Sequence, residues 1–139
     1  MPLPRTFAAV SLCLPLIAAC RGGATEHRVA EGALGPYSGA VIAGDLVFVS
    51  GKIGERGGSF EHEAETAIEA VRAELAGLGL DLGDVVESRV FLTDMERYAD
   101  FNAVYGRLFP SPYPARACVA VAALPAGARV EVQCVARRR

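Results

Sequence analysis

The segment at residues 114–131 constrains this chain most, because it places charged and reactive side chains among residues that are otherwise small and apolar. Its sequence, PARACVAVAALPAGARVE, contains two apolar stretches separated by a proline and a glycine. This pattern predicts two strands joined by a tight turn near Pro125, as a β-hairpin. Arg116, Cys118 and Glu131 would then lie on neighbouring strands. A sheet surface so rich in alanine and valine is expected to face a subunit contact or a ligand.

Side chains alternate along a strand, so strand parity predicts which residues share a face. Val130, Val132 and Cys134 form an apolar set that should face the core. The hairpin register that buries this set brings four other side chains together on the opposite face: Arg116, Cys118, Glu131 and Gln133. Arg116 and Glu131 would form either a small-anion site or an ordinary cross-strand ion pair on a solvated face. Since this register separates Cys118 from Cys134, we expect no disulfide.

The first 19 residues predict an export signal rather than part of the fold. Arg5 precedes an almost wholly apolar stretch that ends in Ala18-Ala19-Cys20. Small residues before a cysteine are typical of a bacterial lipoprotein signal, in which Cys20 becomes the lipid-bearing first mature residue. The alternatives are a plain secretory signal or a cytosolic protein whose start is misassigned. We therefore expect a signal peptide at 1–19, a tether at 20–34, a domain at 35–139, and a periplasmic or lipid-anchored protein.

The overall charge argues against a nucleic-acid surface. The chain has 14 Lys and Arg against 16 Asp and Glu, a net charge of −2, whereas nucleic-acid binding needs a basic stripe. Its two histidines, His27 and His62, are far apart in the sequence, and neither belongs to a spacing pattern typical of metal ligands. We expect no metal site, and a membrane contact only through a lipid at Cys20.

Hydrophobic periodicity predicts the remaining elements. In chain order, we expect strands at 40–42 and 46–50, a helix at 60–78, a strand at 85–92, a helix opened by a capping box at 93–96 and running to residue 108, and the two strands of the 114–131 segment. Glu61, Glu63 and Glu65 should form a solvated helix face. On the second helix Tyr98, Phe101, Tyr105 and Leu108 should point inward.

The order β-β-α-β-α-β-β predicts an α+β fold with a single mixed sheet covered on one face by two helices. The other face has no cover within one chain. With Arg116, Cys118 and Glu131 on it, this face should be buried by partner subunits. We expect a closed homo-oligomer with its sites at the subunit interfaces.

These residues resemble the RidA/YjgF family of enamine and imine deaminases. The resemblance extends from about residue 35 to residue 138. It is carried by Gly35-Pro36-Tyr37, Val49-Ser50-Gly51, Val90-Phe91-Leu92-Thr93-Asp94, Phe101-Asn102-Ala103-Val104-Tyr105, Pro114-Ala115-Arg116-Ala117-Cys118-Val119 and Val130-Glu131-Val132. It implies a chorismate-mutase-like subunit that forms a homotrimer with three clefts between neighbours.

By this resemblance, the substrate would be a 2-enamino or 2-imino acid, hydrolysed to a 2-oxo acid and ammonia without a cofactor. Arg116 would anchor the substrate carboxylate, because a guanidinium fork binds a carboxylate through two parallel bonds. Glu131 would orient the attacking water and take its proton.

The resemblance assigns further roles around this pair. Tyr37 would close over the substrate, and Gly51 would let backbone approach it. The backbone at Cys118 would bond the reacting nitrogen, while its thiol is a packing residue rather than a nucleophile because no histidine accompanies it. Asn102 would order the cleft. Lys52 stands where the family often has glutamine, and would place a cation near the cleft.

Two other functions remain open on the same fold. One is a non-catalytic binder of small carboxylates, or a holdase-like interaction protein. The other is an endoribonuclease, against which the acidic balance and the export signal both argue.

Overall fold

The computed structural model describes residues 24–138, which form one six-stranded sheet covered on one face by two helices. The elements are β1 (Glu26–Val29), β2 (Ser38–Ala43), β3 (Leu46–Ile53), α1 (Phe60–Ala76), β4 (Val85–Leu92), α2 (Tyr98–Leu108), β5 (Ala115–Ala120) and β6 (Val130–Arg137). The predicted α+β class is confirmed. The predicted signal peptide at 1–19 and the predicted lipidation site at Cys20 lie outside the described residues. Within residues 24–138, no helix is both long and apolar enough to cross a membrane.

The strand order is β1-β2-β3-β6-β4-β5, so β4 lies between β5 and β6 and the predicted hairpin of these two strands is wrong. β5 pairs with β4 in parallel and β6 pairs with β4 antiparallel. Residues next to both strands also bond to the C-terminal end of β4, rather than to each other. Val121 N donates to Leu92 O at 2.8 Å, and Thr93 N donates to Arg129 O at 3.0 Å.

The core lies between the sheet and the helices, where the predicted periodicity is confirmed. α1 buries Ala64, Ala67, Ile68, Val71 and Leu75 against the sheet. β6 buries Val130, Val132 and Cys134, the apolar set that strand parity predicted. The α1 helix begins at a cap formed by Ser59, whose side chain accepts from His62 N at 3.2 Å.

The second helix begins later than predicted. Asp94, rather than Thr93, forms the cap, and its side chain accepts from Glu96 N at 2.9 Å at the start of a short 3₁₀ turn. α2 then begins at Tyr98. Phe101 and Tyr105 are buried as expected, but Tyr98 is 41% exposed because it lies on the first turn, at the edge of the core.

The predicted tether contains a strand. β1 pairs antiparallel with β2 at the edge of the sheet, with His27 opposite Val41. All four side chains of β1 are exposed, so backbone hydrogen bonds carry the pairing. Without a buried face, β1 has no apolar alternation from which it could be predicted.

Glu63 is not part of a solvated face, as was predicted, but is only 1% exposed. Its carboxylate accepts from Arg129 N and from Arg129 Nε, both at 2.6 Å. Arg129 comes directly before β6, so this pair ties the first turn of α1 to the start of that strand. A residue 66 positions away supplies the partner, which local periodicity cannot indicate.

Candidate active site

Arg116 lies on the edge strand β5, on the side of the sheet that carries the helices. It is in register with Ser88 of β4, which is fully buried on that side. Its guanidinium donates to Asn102 Oδ1 at 2.6 Å and to Tyr98 Oη at 3.3 Å, both on α2. The same guanidinium stands 4.6 Å from the centre of the Tyr105 ring. β5 and α2 therefore hold this cation in one orientation.

The Tyr105 ring is itself fixed from two sides. Its hydroxyl is 3.0 Å from Ser88 Oγ, and its ring stacks on Phe109 with centroids 4.0 Å apart. Burial raises the pKa of Tyr105 although the hydrogen bond to Ser88 opposes the shift, so the phenol stays neutral. Among residues 24–138, Arg116 has no carboxylate partner, and its free donors can bind an anion.

Glu131 lies on β6 and faces the other side of the sheet, between buried Val130 and Val132. It lines an open groove of about 340 Å³ together with Tyr37, Ser50 and Gly51. A Cβ at position 51 would overlap the Glu131 carboxylate, so only glycine allows this side chain to lie against β3. The role of Gly51 seen here is to accommodate Glu131.

Burial raises the pKa of the Glu131 carboxyl. Within the described part of the chain, no cation or hydrogen-bond donor pairs with this carboxyl. A carboxylate that is partly dehydrated and unpaired is a stronger base than an exposed one, and it is suited to holding and deprotonating a water molecule.

Tyr37 lies in the loop before β2, as its position in the sequence predicted. Its hydroxyl accepts from Leu34 N at 3.3 Å and its ring is about half exposed over the Glu131 groove. Neighbouring Ser50 Oγ donates to Ser38 O at 2.6 Å, which joins β3 to β2 beside the same groove. Tyr37, Gly51 and Glu131 are therefore brought together within one chain.

Arg116 and Glu131 are not brought together within one chain, so the prediction that they share a face is wrong. Arg116 is in register with buried Ser88 and Cys134, whereas Glu131 is in register with Phe91 on the opposite face. Each lines its own groove of about 340 Å³. The error arises because β4 separates the two strands, so hairpin parity does not apply to them.

The groove at Arg116 contains further residues to which the sequence analysis assigned no role in the site. They are Gly106, Tyr113 and Pro114, with Tyr98 and Ser88 close by as partners of Arg116 and Tyr105. For Tyr98 and Gly106 the available signal is the four-residue spacing on α2, which places both on the same helix face as Asn102. Ser88, Tyr113 and Pro114 lie outside α2 and have no such signal.

Cys118 also faces the helices, two residues along β5 from Arg116, and it is partly buried against the core. Burial raises the pKa of its thiol, although nearby Arg116 lowers it. Cys134 lies on the same side, contrary to the prediction, and burial raises the pKa of its thiol to about 12. Both are free thiols. Neither has the low pKa of a nucleophilic cysteine.

Lys52 does not lie near the predicted cleft. An irregularity in the pairing of β3 with β6, between Val49 and Lys52, turns this side chain to the helix side. There Lys52 Nζ bonds Glu74 Oε2 of α1 at 2.6 Å. Across residues 24–138, no three His, Cys, Asp or Glu side chains form a cluster that could hold a metal ion.

Comparison with known proteins identifies the fold and the family. The crystal structure of a yeast protein, YEO7_yeast, is 34% identical, with a TM-score of 0.80 over 84% of this chain and 100% of that one. The crystal structure of Escherichia coli TdcF with bound serine is 36% identical, with a TM-score of 0.73 over 78% of this chain and 92% of that one.

Two curated relatives agree with this assignment. A human 2-iminobutanoate/2-iminopropanoate deaminase is 38% identical over 114 residues, which are 77% of this chain and 83% of that protein. A RutC family protein of Sinorhizobium fredii, y4sK, is 45% identical over 113 residues, which are 76% of this chain and 90% of that protein. The family model described as "Endoribonuclease L-PSP" matches residues 27–138. This chain therefore belongs to the RidA/YjgF family.

Proposed function

We propose that this protein hydrolyses 2-imino and 2-enamino acids to 2-oxo acids and ammonia, at clefts between neighbouring copies of the chain. The observation that carries the proposal is two charged groups without a counter-ion among the described residues, the Arg116 guanidinium and the Glu131 carboxylate, each lining its own groove. One supplies an anchor for a carboxylate and the other a base for water. The names of relatives, imine deaminases among them, support this reaction class.

Arg116 is suited to bind the substrate carboxylate. Asn102 and Tyr98 hold its Nη2 atom on one side, which leaves the remaining donors of the guanidinium for a ligand. A planar guanidinium held in one orientation matches a carboxylate through two parallel bonds. A relative, TdcF of Escherichia coli, has been crystallised with serine, an amino acid that carries such a carboxylate.

Glu131 is suited to act on water. It takes a proton from the water, whose oxygen forms a bond to the imine carbon, and the nitrogen receives a proton. In the resulting carbinolamine, the hydroxyl proton passes to the nitrogen, a carbonyl forms, and the carbon–nitrogen bond breaks so that its electron pair leaves with the nitrogen as ammonia. The raised pKa of Glu131 favours this role, because a carboxylate that binds a proton more tightly is a stronger base toward water. β5 is an edge strand, so backbone groups near Cys118 are available to bond that nitrogen.

A second copy of the chain is needed to complete the site. The Arg116 groove and the Glu131 groove lie on opposite sides of the sheet, so the contact that joins them is between two different surfaces. A contact of this kind forms a ring when its rotation closes, and the family resemblance implies a closed ring of three. The uncovered sheet face supports such a contact, since it exposes Phe48 and Val119 at 44% and 46%.

The test is ammonia release from 2-imino acids generated in situ from amino acids by an oxidase. Arg116→Ala should lower kcat/KM by about a hundredfold or more, which corresponds to ~3 kcal/mol of transition-state stabilisation. Arg107→Ala is the matched control, because that side chain is 63% exposed on the same region of α2 and lines neither groove. A wild type no faster than Arg116→Ala would refute the hydrolase.

The same variants separate the hydrolase from a non-catalytic carboxylate binder. Glu131→Gln should abolish hydrolysis but retain binding of pyruvate, because the anchor is intact. If the wild type binds pyruvate and hydrolyses no imine, the protein is a binder. Ribonuclease activity that persists in purified Arg116→Ala protein would favour the activity that gives the family model its description.

We also propose that residues 1–19 direct export and that Cys20 carries a lipid. Metabolic labelling with a fatty acid should mark the wild type and not Cys20→Ser. If the protein isolated from cells still carries residues 1–19, it is cytoplasmic and the export proposal is wrong.

A further inference from the structure

A groove runs from Arg116 along one face of α2, and part of its floor is a glycine. Asn102 and Gly106 lie one helical turn apart and both line this groove, with Tyr113 on its wall. Asn102 bonds the guanidinium at 2.6 Å, whereas Gly106 presents only backbone. The groove thus starts at the anion anchor and continues over a position that has no side chain. We call this part the Gly106 groove.

Neither packing nor backbone conformation requires a glycine at position 106. The residue lies inside α2, where glycine is the poorest helix former other than proline. It does not have a positive φ angle. An added Cβ would meet only the Tyr113 hydroxyl, at the ordinary contact distance of 3.6 Å. What glycine provides at this position is open space beside the anchor.

Two aromatic side chains, Tyr105 and Tyr113, line this space, and Tyr113 is the more exposed of the two. Tyr105 is already occupied, with Arg116 on one side and Phe109 stacked on its ring. Tyr113 is 57% exposed, and its ring centroid is 6.4 Å from that of Tyr105. A planar ring entering the Gly106 groove would have Tyr113 as a stacking partner.

We propose that the Gly106 groove binds the side chain of the substrate and selects 2-imino acids whose side chain is aromatic. This rests on the proposed function, in which Arg116 binds the carboxylate. The carboxylate and the side chain are attached to the same carbon of a 2-imino acid. A carboxylate held at Arg116 therefore brings the side chain within a few bonds of Gly106, which is the specificity-determining residue.

The test measures binding separately from catalysis. The affinities of phenylpyruvate, 4-methyl-2-oxopentanoate and pyruvate are measured by calorimetry with the assembled protein. Wild type should bind phenylpyruvate most tightly. Gly106→Ala should weaken phenylpyruvate binding several-fold and Gly106→Leu by about tenfold or more, with pyruvate unchanged. Both substitutions favour helix, so the fold should be retained.

Gly77→Ala is the matched control, because it adds the same methyl group at the end of α1, where a Cβ meets only backbone oxygens at 3.4 and 3.8 Å. It should change none of the three affinities. Equal weakening of all three acids by Gly106→Leu, or no weakening of phenylpyruvate, overturns the proposal. If wild type binds 4-methyl-2-oxopentanoate more tightly than phenylpyruvate, the preference for an aromatic side chain is overturned.

Imine hydrolysis by the same proteins distinguishes this proposal from the proposed function. If the wild type hydrolyses no imine but phenylpyruvate binding depends on position 106, the groove assignment stands and the hydrolase fails. The other outcome is that the wild type hydrolyses the imine derived from alanine, but substitutions at position 106 change the binding of neither phenylpyruvate nor pyruvate. In that case the assignment of the Gly106 groove fails and the hydrolase stands.

Discussion

Arg116 and Glu131 face opposite sides of one sheet, with β4 between the strands that carry them. Within residues 24–138, Arg116 has no carboxylate partner and Glu131 has no cation partner, and we propose that they are the two halves of one site. No change of rotamer joins them inside one chain, because the sheet itself separates them. Under the proposed function, they line one cleft across a contact between two copies.

Gly51→Ala should impair catalysis more than stability. The added Cβ overlaps the Glu131 carboxylate, which must move away from β3. We expect kcat/KM to fall by about tenfold or more, because a displaced base no longer aligns water with the substrate. Steady-state ammonia release is the measurement. Gly83→Ala is the control, since a Cβ there meets only Pro110 Cγ at 3.6 Å. Unchanged activity in Gly51→Ala would show that the position of Glu131 is not critical.

Glu131→Gln should gain stability relative to wild type as pH rises. Burial raises the pKa of this carboxyl in the folded protein, so folding favours its protonated form. The folded wild type binds this proton more tightly than the unfolded chain does, which stabilises the fold at low pH. This stabilisation is lost as pH rises through the raised pKa. Thermal melts from about pH 4 to pH 8 should therefore show the Tm of the variant moving upward relative to wild type. If the Tm of the variant instead falls relative to wild type toward pH 8, a cation such as Arg116 of a neighbouring copy stabilises the carboxylate more than burial destabilises it.

Glu63→Ala should destabilise the fold strongly, although it lies outside both grooves. It removes the acceptor of two bonds from Arg129 and leaves that guanidinium with Gly58 O as its one hydrogen-bond acceptor among the described residues. We expect a loss of about 1–2 kcal/mol in urea unfolding with an unchanged m-value, because Arg129 N loses its acceptor, whereas the Arg129 side chain is 42% exposed and stays partly hydrated. Glu65→Ala, in the same helix but with a side chain that is 48% exposed, should change stability by less than about 0.5 kcal/mol. Equal effects of the two substitutions would contradict the buried pair.

Cys118 should be a slow nucleophile. Since burial raises the pKa of its thiol, little thiolate is present at neutral pH. Residue-level mass spectrometry should find that iodoacetamide alkylates Cys118 more slowly than free cysteine at pH 7. Faster alkylation would indicate an activated thiol and reopen a covalent mechanism.

Local patterns in the sequence predicted the elements well. The spacing of Ala64, Ile68 and Leu75 identifies α1 and its buried face. The alternation of Val130 and Val132 identifies the buried face of β6. These patterns are sufficient because burial of one face acts within each element. They also place Glu131 on the uncovered face correctly, since its neighbours are buried.

Relations between distant segments could not be predicted in the same way. The insertion of β4 between β5 and β6 depends on backbone bonds such as Val121 N to Leu92 O, which leave no pattern in either strand. The pairing of Glu63 with Arg129 is equally remote in sequence. The irregularity before Lys52 reverses side-chain direction, so a count of residues along β3 gives the wrong face.

The most direct test of the shared site is complementation between two inactive variants. Arg116→Ala and Glu131→Gln proteins are unfolded together in equal amounts and refolded. Each contact that joins an intact Arg116 to an intact Glu131 of another copy makes a working cleft, so about a quarter of wild-type ammonia release should return. Activity no greater than the sum of the two variants alone would contradict a site built from two chains.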